Sequence, residues 1–190
     1  SGDLMGASYR ADLFAQVFKV LLAGGLLLVL ALCTDLSDLR PGRHPEFYLL
    51  LFTCNLAMMM LVSAMHLLTA YLALELSSYA LYVLVVLRRD RELAVEAALK
   101  YFLVGVSASA VTLFGMALLY AAARHTLIPD LARTLSGLGG DPLAVLGLLL
   151  TLGGFFFKLA VFPFHFWAPD VYQGAAHPVG AYIATVSKVA

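Results

Sequence analysis

Long apolar runs separated by short polar segments make up most of this chain. At the length needed to cross a bilayer, they predict helices at about 12–33, 46–65, 66–87, 94–123 and 143–167, with a sixth beginning near Pro178. The second and third runs meet almost without a polar linker. A single helix of about 40 residues would overshoot the bilayer, so Met65-His66 is read as a tight turn between them. The clearest loop is Arg88-Arg89-Asp90-Arg91-Glu92. The positive-inside rule places it on the cytoplasmic side with the loop at 34–45, which carries Arg40 and Arg43. The segments at 1–11 and 124–142 then face the other side.

The fifth run carries its own interruption. Gly153-Gly154 lies within it, and Pro163 follows in Phe162-Pro163-Phe164-His165-Phe166-Trp167. Proline removes a backbone donor and clashes with the preceding turn, so a kink or break is expected there. Broken helices at membrane depth persist where they are buried in protein or line a wet cavity, and in transporters they mark binding sites.

Composition agrees with an all-α integral membrane protein, a multi-spanning helix bundle. Hydrophobic residues make up 62% and charged residues 13%, with a mean hydropathy of +0.91. The formal net charge is zero, with no basic block of the kind that binds nucleic acid. Cys33 and Cys54 fall in separate apolar runs without metal-ligand spacing and read as small buried hydrophobes. The chain starts Ser-Gly-Asp and stops at Ala190 inside an apolar run, so it is read as an internal piece of a longer protein.

The charges change the picture most. All four lysines (Lys19, Lys100, Lys158 and Lys188) lie in apolar runs, whereas all eight arginines lie in the polar segments. An ionisable group at membrane depth is a functional-site hypothesis by default. Arginine does not deprotonate in proteins, but a buried lysine can, so lysine alone at depth points to proton loading and release. At ~1.5 Å per residue, Glu75, Lys158 and Lys188 fall at a common central level on three different helices. Lys100 is shallower, with Glu96 one turn before it on the same face, a spacing that also suits an ordinary helix pair. Lys19 is two turns from the end of its run and is expected to snorkel to the headgroups. His66, His125 and His177 fall at predicted boundaries and read as surface histidines. His165 follows Pro163 and either accepts a proton or bonds a carbonyl freed by the break. Ser77, Ser78, Tyr79, Tyr82, Ser107, Ser109, Thr112 and Thr151 gather near these levels, where hydroxyls carry relays or simply pack helices.

The residues around the charges resemble the antiporter-like subunits of respiratory complex I, the proton-pumping NADH–quinone oxidoreductase. The resemblance is carried by Glu75-Leu76-Ser77-Ser78-Tyr79 and by Glu96-Ala97-Ala98-Leu99-Lys100-Tyr101-Phe102. Phe157-Lys158-Leu159 followed by PFHFWAPDVYQGA (163–175) is more specific, and Ser187-Lys188-Val189-Ala190 completes the series. One departure is Ala176, where the family usually has proline before the next helix.

The resemblance implies a subunit built from two inverted five-helix repeats. Here 1–45 would be an N-terminal spanning helix and loop, and 46–190 most of the first repeat. It implies that Glu75 pairs with Lys158 on the broken helix and that Lys188 passes the proton laterally, with Lys100 and His165 joining the set. The implied activity is proton translocation coupled to electron transfer in other subunits of an NADH:quinone oxidoreductase. No cofactor or redox motif is expected in this chain. Its partners would be the other membrane subunits of complex I, the lipid bilayer and protons, in a bacterial inner membrane. A subunit of a multisubunit cation/proton antiporter or membrane-bound hydrogenase is the alternative, and a scaffold whose charges only pin helices together is a further one.

Overall fold

A computed structural model describes residues 2–4, 8–88, 91–137 and 140–190. Among the described residues, five helices are long and apolar enough to cross a membrane. They are α1 (Leu13–Leu32), α2 (His44–Val62), α3 (Leu67–Val86), α4 (Arg91–Ala123) and α6 (Pro142–Leu159). The short α5 (Ile128–Gly137) precedes α6, while α7 (Ala168–Gly174), α8 (His177–Ala184) and a 3₁₀ turn at Val186–Lys188 follow it. Among the described residues the helices are joined by one strand pair, β1 (Gly2–Leu4) and β2 (Tyr9–Ala11), antiparallel, with β2 packed against α1, in a segment whose apolar pattern predicts no strand. Asp12 caps that start, its Oδ1 accepting the Ala15 N–H at 2.8 Å.

The tight turn at Met65-His66 is present, with α2 ending at Val62 and α3 starting at Leu67. Its backbone groups are satisfied by the segment after α4. Leu67 N–H donates to the Thr126 carbonyl at 2.9 Å, and Ile128 N–H to Met65 at 2.8 Å. The predicted loop at 124–142 holds α5, whose Leu131 is buried against Leu119 and Ala123 while Arg133 stays exposed. That apolar stripe over one turn explains why a short surface helix forms in a segment read as loop. At the opposite end, Arg40 N–H donates to the Leu87 carbonyl at 3.0 Å, tying the loop after α1 to the end of α3. In that loop Asp35 accepts the Ser37 N–H at 2.9 Å, which holds its carboxyl below the usual carboxylate range.

The main packing contact joins α4 to α6. It is a backbone approach: a methyl group on Gly115 would lie 2.6 Å from the Thr151 nitrogen, and one on Gly147 would lie 2.9 Å from the Leu119 nitrogen. Small residues let membrane helices approach closely and exchange dispersion contacts that lipid would otherwise supply. The largest buried cluster runs from Leu22, Phe47 and Leu51 through Leu84 and Phe157 to Trp167 and Tyr182. Around it, exposed faces such as Leu13, Leu27, Leu49 and Phe162 present apolar side chains outward, as a bilayer-facing surface requires.

The predicted fifth span is shortened. It stops at Leu159 rather than running to 167, and the chain then makes turns through 161–167 before α7. The stop follows from Pro163, whose ring would meet the carbonyl four residues back, that of Leu159. Ala160 takes the left-handed conformation that ends the helix, at φ 54°.

Candidate functional site

The shortening puts Lys158 in the last turn of α6, rather than in the middle of a longer helix. The carbonyl end of a helix dipole favours a cation, so this placement supports an ammonium where lipid alone would not. Its Nζ donates to Ser78 Oγ on α3, and Ser78 in turn donates to the Leu74 carbonyl at 2.7 Å. The rings of Phe157 and Tyr82 lie beside the ammonium, with centroids at 5.6 and 5.7 Å.

Glu75 is buried, 7% exposed, one helical turn from Ser78 on α3. Its Oε1 accepts the Ser109 hydroxyl of α4 at 2.6 Å. Among the described residues, no ion pair within 4.0 Å joins Glu75 to Lys158. Each charge instead takes a hydroxyl as its direct partner, Ser109 for Glu75 and Ser78 for Lys158.

Lys188 closes the 3₁₀ turn after α8, with its Nζ 5.9 Å from the Tyr172 ring centroid on α7. It shares a cavity of about 460 Å³ with Lys158, lined also by Ser77, Ser78, Tyr101 and Ser187. The sequence placed Lys158 and Lys188 at one level, and the structure puts them on one cavity.

Lys100 stands apart, at a small polar cleft of about 220 Å³. It pairs with Glu96 at 2.8 Å, as its spacing suggested, and also with Asp170 of α7 at 2.8 Å. The second partner was not singled out from the sequence, because a break between α6 and α7 has to fold the chain back before Asp170 can reach α4. Arg88 holds the other end of α7, donating to the Gln173 carbonyl.

His165 is exposed in the turn, its ring 5.7 Å from that of Phe162, and it lines neither cavity. A carbonyl near the break, that of Phe157, is taken instead by the buried Trp167 indole N–H at 3.1 Å. Tyr101 stacks on that indole with centroids 4.5 Å apart and planes 11° from parallel. Trp167 and Tyr101 are thus structural members of the site that the charge pattern alone did not reveal. Lys19 is half-buried in a groove between α1 and α2, away from the other lysines. His66 bonds Thr126 Oγ1 at 3.1 Å at the boundary where it was expected, and His177 lies 3.6 Å from Asp38 at the surface.

The arrangement can hold a charge on Lys158, offer it hydroxyls through Ser78, and place a second lysine across a shared cavity. The sequence profile of the NADH:quinone oxidoreductase/Mrp antiporter transmembrane family matches residues 64–190. NADH-quinone oxidoreductase subunit N 2 of Syntrophobacter fumaroxidans is 61% identical over 189 residues, covering 100% of this chain and 40% of that protein. The subunit N 2 of Opitutus terrae is 43% identical, with 100% and 40% coverage. The chain therefore spans about 40% of the length of these relatives. A chain of respiratory complex I from Thermus thermophilus superposes with a TM-score of 0.80 at 42% identity, over 96% of this chain and 39% of that one. A chain of the Mrp complex from Dietzia shares the fold, at a TM-score of 0.74 and 19% identity over 94% of this chain and 34% of that one. This chain belongs to the NADH:quinone oxidoreductase/Mrp antiporter transmembrane family.

Proposed function

We propose that this chain carries one half-channel of a proton-translocating membrane subunit of an NADH–quinone oxidoreductase, set in a bacterial inner membrane among the other membrane subunits of the complex. The observation that carries the reading is the placement of Lys158, on the last turn of a broken helix, facing Lys188 across one cavity. Relatives named as subunit N of that oxidoreductase match the chain across all or nearly all of its length.

Protons are the transported species, and electron transfer belongs to other subunits. Lys158 holds its proton while the α6 carbonyl end, Ser78 and the nearby Glu75 charge favour the ammonium. Neutralising or moving Glu75 removes one of those supports, so that desolvation favours release into the cavity toward Lys188. Lys100, with Glu96 and Asp170, marks the water-accessible end of α4 from which protons are drawn.

The test is the proton-to-electron ratio of the full complex carrying Lys158→Ala or Glu75→Ala. A lowered ratio in both is expected, and wild-type stoichiometry in both variants would overturn the proposal. Cation/proton exchange is the second reading, favoured by the fold shared with the Mrp chain. It predicts sodium or potassium counter-transport in vesicles without NADH oxidation.

A further inference from the structure

We infer that the groove between β2, the first turns of α1 and the last turns of α2 binds the phosphate headgroup of an anionic glycerophospholipid. The groove encloses about 630 Å³, within the range of small-molecule sites. Arg10 and Lys19 bring two cationic side chains to it, and Leu56, Met59 and Met60 supply an apolar floor.

Ser63 is the independent pointer. It caps the end of α2 on this groove, is 5% exposed, and its hydroxyl is buried without a hydrogen-bond partner among the described residues. Buried hydroxyls are almost always satisfied, and an orphan calls for a partner from outside the described residues. A Lys19 that merely snorkelled to water would leave Ser63 unanswered.

Depth and charge agree with a lipid. Lys19 lies six residues beyond the start of α1, roughly 9 Å in, within reach of a headgroup. Leu56, on the floor of the groove, opens outward at 58% exposure, so an acyl chain can run from the groove into the bilayer. Asp12, at the start of α1, is engaged in capping the Ala15 N–H. Lys19 is the cation that α1 brings to the groove. A phosphate offers acceptors to the ammonium and to the Ser63 hydroxyl together, and charge-assisted bonds of this kind are the strong ones.

Native mass spectrometry of the intact complex, delipidated and then supplied with phosphatidylglycerol or phosphatidylcholine, tests this. Retention of phosphatidylglycerol over phosphatidylcholine is expected, falling about tenfold in Lys19→Gln and less in Ser63→Ala, with Lys19→Arg close to wild type. If Lys19→Gln does not assemble, Ser63→Ala carries the comparison. Equal retention in wild type and variants, no preference between the two lipids, displacement by inorganic phosphate alone, or a protein segment from outside residues 1–190 seated in the groove would each overturn it.

Discussion

The indole N–H of Trp167 donates to the Phe157 carbonyl at 3.1 Å, bridging the break between the end of α6 and the start of α7. The carbonyl belongs to the residue before Lys158, so the ring fixes the backbone from which the lysine projects. Tyr101 on α4 holds the ring in turn, and the neighbouring Lys100 holds Asp170 on the same short helix. The broken segment is therefore clamped twice by one turn of α4.

Trp167→Phe keeps an aromatic ring for Tyr101 but removes the donor. The Phe157 carbonyl retains the Ala160 N–H at 3.0 Å, so the loss is one neutral hydrogen bond of about 1 kcal/mol. Thermal unfolding of the full-length protein in detergent should show that small loss, whereas Trp167→Ala should cost about 3–5 kcal/mol through the cavity it leaves. Equal effects of the two substitutions would remove the indole N–H from the account.

Ser78 is the acceptor that the lysine uses in place of Glu75. Ser78→Ala removes it, and a hydrogen bond to a charged group is typically worth about 1.5–3 kcal/mol. Proton pumping by the complex, followed by quenching of a pH-sensitive dye during NADH oxidation, should fall roughly tenfold. Ser78→Thr retains the hydroxyl and should keep most of the activity; failure of threonine to rescue would show that volume, not the hydroxyl, matters.

How much of this was legible beforehand depends on range along the chain. The spans and the Met65-His66 turn follow from local hydropathy, and the stop of α6 follows from one proline acting on Leu159. The Glu96–Lys100 contact is also local, set by helix periodicity. Asp170 on Lys100, Ser109 on Glu75 and Ser78 on Lys158 each join residues on different helices. No spacing rule reaches them, and side chains as short as serine become visible partners only once the packing distance between helices is known. The α5 helix escapes a reading by hydropathy for a different reason: its ten residues carry a clear apolar face, with Leu131 and Leu135 turned to Leu119 and Ala123, but they are far too short and polar to register as a spanning run.

Lys158→Arg separates holding charge from releasing it. Arginine stays protonated, so a residue that must deprotonate loses its function while an ion-pair or anchoring role is largely kept. The expected outcome is assembled complex with near-normal content of the subunit and severe loss of pumping. Wild-type pumping in Lys158→Arg would assign the lysine a structural role.

Two glycines in α6 predict opposite outcomes for the same substitution. A methyl group on Gly147 would sit 2.9 Å from the Leu119 nitrogen and 3.0 Å from the Gly115 carbonyl oxygen, backbone atoms that cannot swing aside. Gly147→Ala must push α4 and α6 apart, and overpacking of this kind costs about 1–3 kcal/mol. A methyl group on Gly153 would meet nothing within 4 Å. Gly153→Ala should instead gain about 0.5–1 kcal/mol, because alanine loses less backbone freedom than glycine on entering a helix. Thermal unfolding of both variants of the full-length protein checks the pair. Destabilisation by Gly153→Ala would place another segment of the protein against that face of α6, and a neutral Gly147→Ala would mean that the α4–α6 contact is not held by its backbones.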